Sequence, residues 1–293
     1  MLKRCLLASF NLAYLGASIF LFAILGLRVV HAQVDSSNAT DPNSLHVNHV
    51  VTVQRNAYTI SGLVTHLQEA RTFKYAIVLF PGYPGIMRLR HDAGQPKFEL
   101  RGNFLVRSRR HWLDQDTLTV VVDAPSDQWG AFSQVFRESP RYGADVEALL
   151  DEVARRYGIM DWSFVGTSEG SVSALHAARM NPQRARRIIL TASLFRANRN
   201  GPGLSGIEWS DPEIGMLLVH HESDPCAYTL YRDAQEFSKR NRKPLLTVRG
   251  GGPESGDPCQ AHTAHGFVGV ERETVLAMSS WLKSGLVPAD VSR

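Results

Sequence analysis

Cysteine is scarce in this chain, with three in 293 residues, at positions 5, 226 and 259. Their spacing to one another and to histidine forms no zinc-ligand pattern, and no glycine-rich loop has the phosphate-cradling form. No metal and no cofactor is therefore expected. Internal repeats are absent, which sets aside solenoids and propellers. Neither sign of charge dominates: 32 Lys and Arg stand against 28 Asp and Glu, a formal net charge of +4. Residues 1–32 hold Lys3, Arg4 and Arg28 and no acid, so the remainder carries only +1. A balance that close to neutral gives no argument for a nucleic-acid partner. Arg101, Arg107, Arg109 and Arg110 form the one basic cluster. It reads first as a solvated helix face, with an anionic group on a substrate as the lesser alternative.

One long apolar stretch is present, and it is N-terminal. Lys3 and Arg4 precede the run over 5–27, and Val30-His31-Ala32 places small residues where a signal peptidase reads. Residues 1–32 are expected to be a secretory signal, and the protein to be exported, periplasmic or secreted. The run is about long enough to cross a bilayer, so an uncleaved N-terminal anchor is the alternative and the only membrane association expected. Cys5 opens the run rather than following it, which argues against a lipid-modified terminus. The polar segment 33–48 reads as a flexible lead-in and 49–293 as a single domain with a substantial core.

Hydrophobic patterning within that domain alternates strand and helix. Residues 50–54 and 58–65 alternate as an antiparallel hairpin does. The runs 75–80, 118–122, 187–191, 216–220 and 245–248 are short, apolar and rich in β-branched residues, as buried parallel strands are. Between them lie helical patterns at 102–114 and 140–157, the latter with Val146, Leu149, Leu150 and Val153 on one face, and a last one at 271–283. The fold class implied is α/β: a mostly parallel central sheet, helices on both faces and an antiparallel N-terminal hairpin. About two dozen residues separate the strands at 187–191 and 216–220, room for a loop but not for a cap domain. Part of 85–102 is the other segment expected to cover a site. An open cleft suited to a small or accessible acyl group follows, rather than an interfacially activated lipase.

The most informative segment is Gly166-Thr167-Ser168-Glu169-Gly170. It follows the apolar residues Trp162, Phe164 and Val165 and precedes the helical run Val172, Ala174, Leu175, Ala177 and Ala178. Gly-x-Ser-x-Gly between strand and helix allows a sharp turn with the serine strained at its tip. The pentapeptide alone is weak. Two later segments strengthen it. A strand pattern ends in His220-His221-Glu222-Ser223-Asp224-Pro225, where an acid just past the strand is placed to orient a histidine. Asp224 is the candidate and Glu222 the reserve; a turn or helix-capping aspartate is the competing reading. His265, in Ala264-His265-Gly266-Phe267, is the candidate base, free to swing because glycine follows, and His262 is the alternative. Asp127 and Trp129 follow another strand end and are candidates for substrate contact, although a turn is the plainer reading.

The order Ser168, Asp224, His265, together with Leu79-Phe80-Pro81-Gly82-Tyr83-Pro84-Gly85, resembles the α/β-hydrolase superfamily over roughly residues 75–281. The resemblance implies a serine hydrolase acting on a small-molecule ester or related acyl substrate. Ser168 would be nucleophile, His265 base and Asp224 orienting acid, with the amides of Glu169 and Tyr83 as oxyanion donors. Pro81-Gly82 stands where the family usually has His-Gly, and proline donates nothing. The same triad also serves peptidases and thioesterases, and the fold hosts non-catalytic binding proteins. A carboxylate beside an oxyanion is unhelpful, so the Glu169 side chain is expected to turn away towards a basic partner. If this fold holds, the loops carrying Asp224 and His265 share one sheet edge, and a Cys226–Cys259 disulfide would tie them together in an oxidising compartment.

Overall fold

The computed structural model describes residues 45–209, 211 and 213–293. The expected signal segment 1–32 lies outside the described residues. The first strand, β1 (His46–Gln54), pairs antiparallel with β2 (Thr59–Leu67). β1 begins within the segment expected as lead-in, because Asn48 accepts a hydrogen bond from Thr65 Oγ1 at 2.9 Å across the pair. β2 also pairs antiparallel with β6 (Thr117–Val122). From there the main strands run parallel: β6, β3 (Tyr75–Phe80), β7 (Asp161–Thr167), β8 (Ala185–Thr191), β9 (Gly215–His221), β10 (Leu245–Arg249) and a two-residue β11 (Val291–Ser292). The result is a nine-stranded mixed sheet, its antiparallel hairpin at the N-terminal edge. A small separate hairpin, β4 (Arg90–Asp92) and β5 (Gln95–Lys97), was not foreseen from the sequence.

The period-two side-chain geometry of strands sorts the core onto two faces. Ala76, Val78 and Phe80 of β3 pack on one side, Ile77 and Leu79 on the other. The first side is covered by α3 (Pro140–Tyr157), α4 (Glu169–Met180) and α5 (Tyr231–Asn241). The second is covered by α1 (Phe104–Ser108) and α6 (Glu271–Ser284). The sequence explains the bounds of α3. Ser139 caps it by accepting from Tyr142 N, Pro140 occupies the first turn, and Gly158 ends it at φ +69°. A one-turn helix, α2 (Gln134–Arg137), precedes it, capped by Ser133.

The basic cluster divides: Arg101 and Arg110 are exposed, as a solvated face would have them, whereas Arg107 and Arg109 are half-buried and bonded to other elements. Helix α1 covers only the first part of the expected helical segment, and a 3₁₀ turn over Arg109–Trp112 completes it. Arg107 donates to Gly266 O (2.7 Å), Gly102 O (2.7 Å) and Glu271 Oε1 (2.9 Å), linking α1 to α6. Arg109 reaches Thr65 Oγ1 and Asn48 Oδ1, both at 3.2 Å, and burial pulls its pKa to about 10. Arg101 lies over the Phe98 ring. Arg107 and Arg109 act as struts between elements, with their guanidinium groups also lying over the Phe104 and Phe98 rings.

Candidate active site

The strand-to-helix turn between β7 and α4 puts Ser168 at φ +53°, ψ −125°. A Cβ on Gly170 would lie 1.9 Å from Phe80 O, and one on Gly166 would lie 2.2 Å from Gly170 O. No other residue fits either place, which is the physical content of the Gly-x-Ser-x-Gly spacing. Serine ordinarily caps a helix with its hydroxyl. Ser168 makes no such capping bond, so its Oγ is left for other chemistry. The amide of Ser168 is fixed by Thr191 O and Ala192 O, each at 3.1 Å.

Ser168 and His265 line one cleft of about 520 Å³, together with Tyr83 and Glu169. Asp224 lies behind the histidine, its Oδ2 accepting from His265 Nδ1 at 3.1 Å. Asp224 Oδ1 accepts from Cys226 N at 2.9 Å, and Thr229 Oγ1 donates to Oδ2 at 2.8 Å while lying 3.1 Å from His265 Nδ1. An acid that accepts at Nδ1 puts the imidazole proton there and leaves Nε2 as the basic nitrogen. Glu222, the reserve acid, points elsewhere and pairs with Arg249 at 2.6 Å on the surface.

His265 does not swing. It is buried in a 3₁₀ turn, with Thr263 Oγ1 accepting from its amide at 3.2 Å. Gly266 is needed for close approach, since a Cβ there would meet Ala261 O at 1.9 Å. Phe267, at φ +59°, anchors the turn against Phe104 with ring centroids 4.7 Å apart. His262 also lines the cleft, but at its exposed rim. Cys226 and Cys259 are joined by a disulfide, and both sit in the cleft wall. The next helix starts only at Tyr231, so Asp224 is followed by turns rather than capping a helix.

Several groups that sequence reasoning missed support these residues. Glu169 does turn from the cleft to a basic partner, and the partner is Arg137, a fully buried guanidinium 3.8 Å from Glu169 Oε2. Arg137 also donates to Ser173 Oγ and Pro84 O, both at 2.9 Å, and lies 3.8 Å from the centroid of Phe132. Burial lowers its pKa and Glu169 opposes that shift, as expected of a cation with one counter-ion in a dry site. Glu169 Oε1 accepts from Asn200 Nδ2 at 2.6 Å. Below the acid loop, His220 is fully buried and accepts from Ser193 N at 2.9 Å through Nε2. Burial, its main cause, drives its pKa down to about 4, so this histidine is neutral. The turn of Glu169 towards a cation was legible in the sequence, but Arg137, Thr229 and Ser193 carried no local signal.

Asp127 and Trp129 do not line the cleft. Asp127 pairs with Arg141 at 2.7 Å, and Trp129 Nε1 donates to Ala124 O at 3.1 Å, so the turn reading describes them. Asp123 is buried, accepting from Met87 N and Leu89 N at 2.6 and 2.8 Å, and desolvation raises its pKa to about 6. Of the segment 85–102, Leu100 and Gly102 reach the cleft. Among the described residues no helix is long and apolar enough to cross a membrane, and no metal-ligating cluster is found.

No protein-family model matches the chain, and no curated protein matches it by sequence. Solved structures do match. A cold-adapted esterase from an Arctic intertidal metagenomic library aligns at TM-score 0.52 and 13% identity, over 81% of this chain and 95% of that one. Est1E from Butyrivibrio proteoclasticus aligns at 0.52 and 14%, over 80% and 97%. An alpha-beta serine hydrolase homologue from Coxiella burnetii aligns at 0.50 and 15%, over 82% and 98%. At such identities the likeness speaks for architecture. Strand order, the elbow between β7 and α4 and these neighbours agree: the chain has the α/β-hydrolase fold.

Proposed function

We propose that the protein is a serine hydrolase that cleaves a small ester or related acyl substrate through an acyl-enzyme. Ser168 Oγ attacks the substrate carbonyl while His265 Nε2 takes its proton. Asp224 holds the imidazole in the Nδ1–H tautomer and stabilises the imidazolium. The amides of Glu169, first in α4 and without an intrahelical acceptor, and of Tyr83 across the cleft receive the oxyanion. The proton passes from His265 to the leaving alcohol, and water activated by the same nitrogen then releases the acid. The observation that carries the reading is the bond from His265 Nδ1 to buried Asp224, with Ser168 in the cleft that the histidine faces.

An aminopeptidase reading would need a free acid for the substrate's amino group. Glu169 is occupied by Arg137 and Asn200, which favours the ester reading. The disulfide favours an oxidising compartment, in keeping with export. The test is hydrolysis of short p-nitrophenyl esters by wild type and Ser168→Ala, alongside labelling by a fluorophosphonate probe. Wild-type turnover in the mutant would sink the assignment, and absence of labelling in the wild type would point to a non-catalytic protein. A parallel panel of thioesters and amides assigns the acyl bond.

A further inference from the structure

The segment linking β8 to β9 folds back over the elbow and brings one arginine to the rim of the cleft. Its path is fixed by the nucleophile turn itself. Ser171 Oγ donates to Ser168 O at 2.6 Å and accepts from Leu194 N at 3.1 Å. Further along, Asn198 and Gly201 exchange backbone hydrogen bonds of 2.9 and 3.2 Å, closing a two-residue turn with Arg199 and Asn200 at its tip. Asn200 is clamped to Glu169 at 2.6 Å. Asn198 Oδ1 accepts from Gln134 Nε2 at 3.1 Å. The tip is thus mounted on the residue that follows the nucleophile.

Arg199 lines the cleft at its exposed rim, as His262 does, and has no carboxylate partner among the described residues. Its neighbour in the same segment, Arg196, is chelated by Asp233 at 2.6 and 3.1 Å. The other charged or titratable groups facing the cleft do not offset Arg199. Glu169 is neutralised by Arg137 behind it, His262 and His265 bring no negative charge, and Asp224 is shielded behind His265. An arginine carried on a braced turn at the exposed rim of a cleft is placed to recognise carboxylate geometry and to draw an anion towards it.

Resting on the ester-hydrolase reading above, we propose that Arg199 is a specificity-determining residue and that the substrate is an ester bearing a second group, a carboxylate, which Arg199 binds. The anionic group sits on the acyl or on the alcohol side of the scissile bond. Two substrate arms separate these. The acyl arm compares monomethyl succinate, glutarate and adipate with methyl butyrate, pentanoate and hexanoate. The alcohol arm compares O-acetyl glycolate and O-acetyl 3-hydroxypropanoate with ethyl and propyl acetate. Hydrolysis by the purified protein is followed in a pH-stat at low and high ionic strength.

The expected result is a kcat/KM ratio favouring the carboxylate member by about tenfold in at least one arm, shrinking with salt. Arg199→Gln should bring that ratio to about one, and Arg199→Lys should keep part of it, since the charge remains without the fork. Neutral esters turned over with no preference in either arm would overturn the proposal and leave the esterase reading standing. A preference that survives in Arg199→Gln would do the same. Hydrolysis of none of these esters would sink both.

Discussion

Cys226 and Cys259 are bonded to each other across the cleft wall, one two residues after Asp224 and the other six before His265. The covalent link spans 33 positions of sequence and joins the two loops that carry Asp224 and His265. Closing a loop of that length contributes about 3–4 kcal/mol in the chain-entropy model. Reduction, or Cys226→Ser with Cys259→Ser, should lower Tm by roughly 10 °C for a domain of this size. Activity should fall with it, because the Cys226 amide that fixes Asp224 Oδ1 rides on the tethered loop. Calorimetry with and without reductant checks the first, and ester hydrolysis below the transition checks the second; an unchanged Tm would deny the bridge a stabilising role.

Thr229 completes the environment of Asp224. Thr229→Val leaves a buried carboxylate one donor short, a loss of about 1–3 kcal/mol. If that loss reaches the transition state through the position of His265, kcat should drop about tenfold to a hundredfold, and Thr229→Ser should restore it. Asp224→Asn, which favours the wrong tautomer, should cost about 10⁴-fold in kcat. Steady-state kinetics on one ester measures all three. Equal rates for the valine variant and wild type would assign Thr229 to folding alone.

The Arg137–Glu169 pair is a second liability of the same kind. Glu169→Gln strands a guanidinium that is fully buried, and stability should fall by about 3–5 kcal/mol. Arg137→Met together with Glu169→Gln removes both charges and should recover much of that loss. Urea unfolding of the two single variants and the double variant gives the coupling directly. A purely additive cycle would show that the two side chains do not act as a pair.

His220 makes stability depend on pH with a defined sign. Its folded pKa of about 4 lies below the unfolded value, so the unfolded chain binds the proton more readily. Stability is therefore lost as pH falls from about 6.5 towards 4, by roughly 3 kcal/mol over that window. His176, also driven to about 4 mainly by burial, adds a term of the same sign. Asp123, raised to about 6, contributes the opposite trend, favouring the folded state as pH falls from 6 to 4. Subtracting the pH–stability curve of His220→Gln from that of wild type isolates the first term, and a flat difference would contradict it.

Patterning alone was enough for the architecture, since each buried strand and long amphipathic helix leaves a periodic trace of apolar residues. The trace over 140–157 corresponds to α3 residue for residue, with its serine cap, proline and terminal glycine. The elbow was legible for a related reason: two glycines are forced wherever a backbone passes within 2.2 Å of a would-be Cβ. The small hairpin β4–β5 has no apolar face and left no such trace. Exposed polar strands are specified by their surroundings rather than by their own composition.

What the sequence by itself determined, then, is the α/β class, the sharp turn at Ser168 and the set of candidate partners for it. Only the tertiary structure decided between neighbours: Asp224 and not Glu222 beside the histidine, His265 buried and His262 at the rim, Arg137 rather than any nearer cation behind Glu169. The reason is that such pairings are contacts between distant segments. Asp224 and His265 lie 41 positions apart, and whether two such side chains meet depends on where sheet edges and loops come together, which local propensity does not encode.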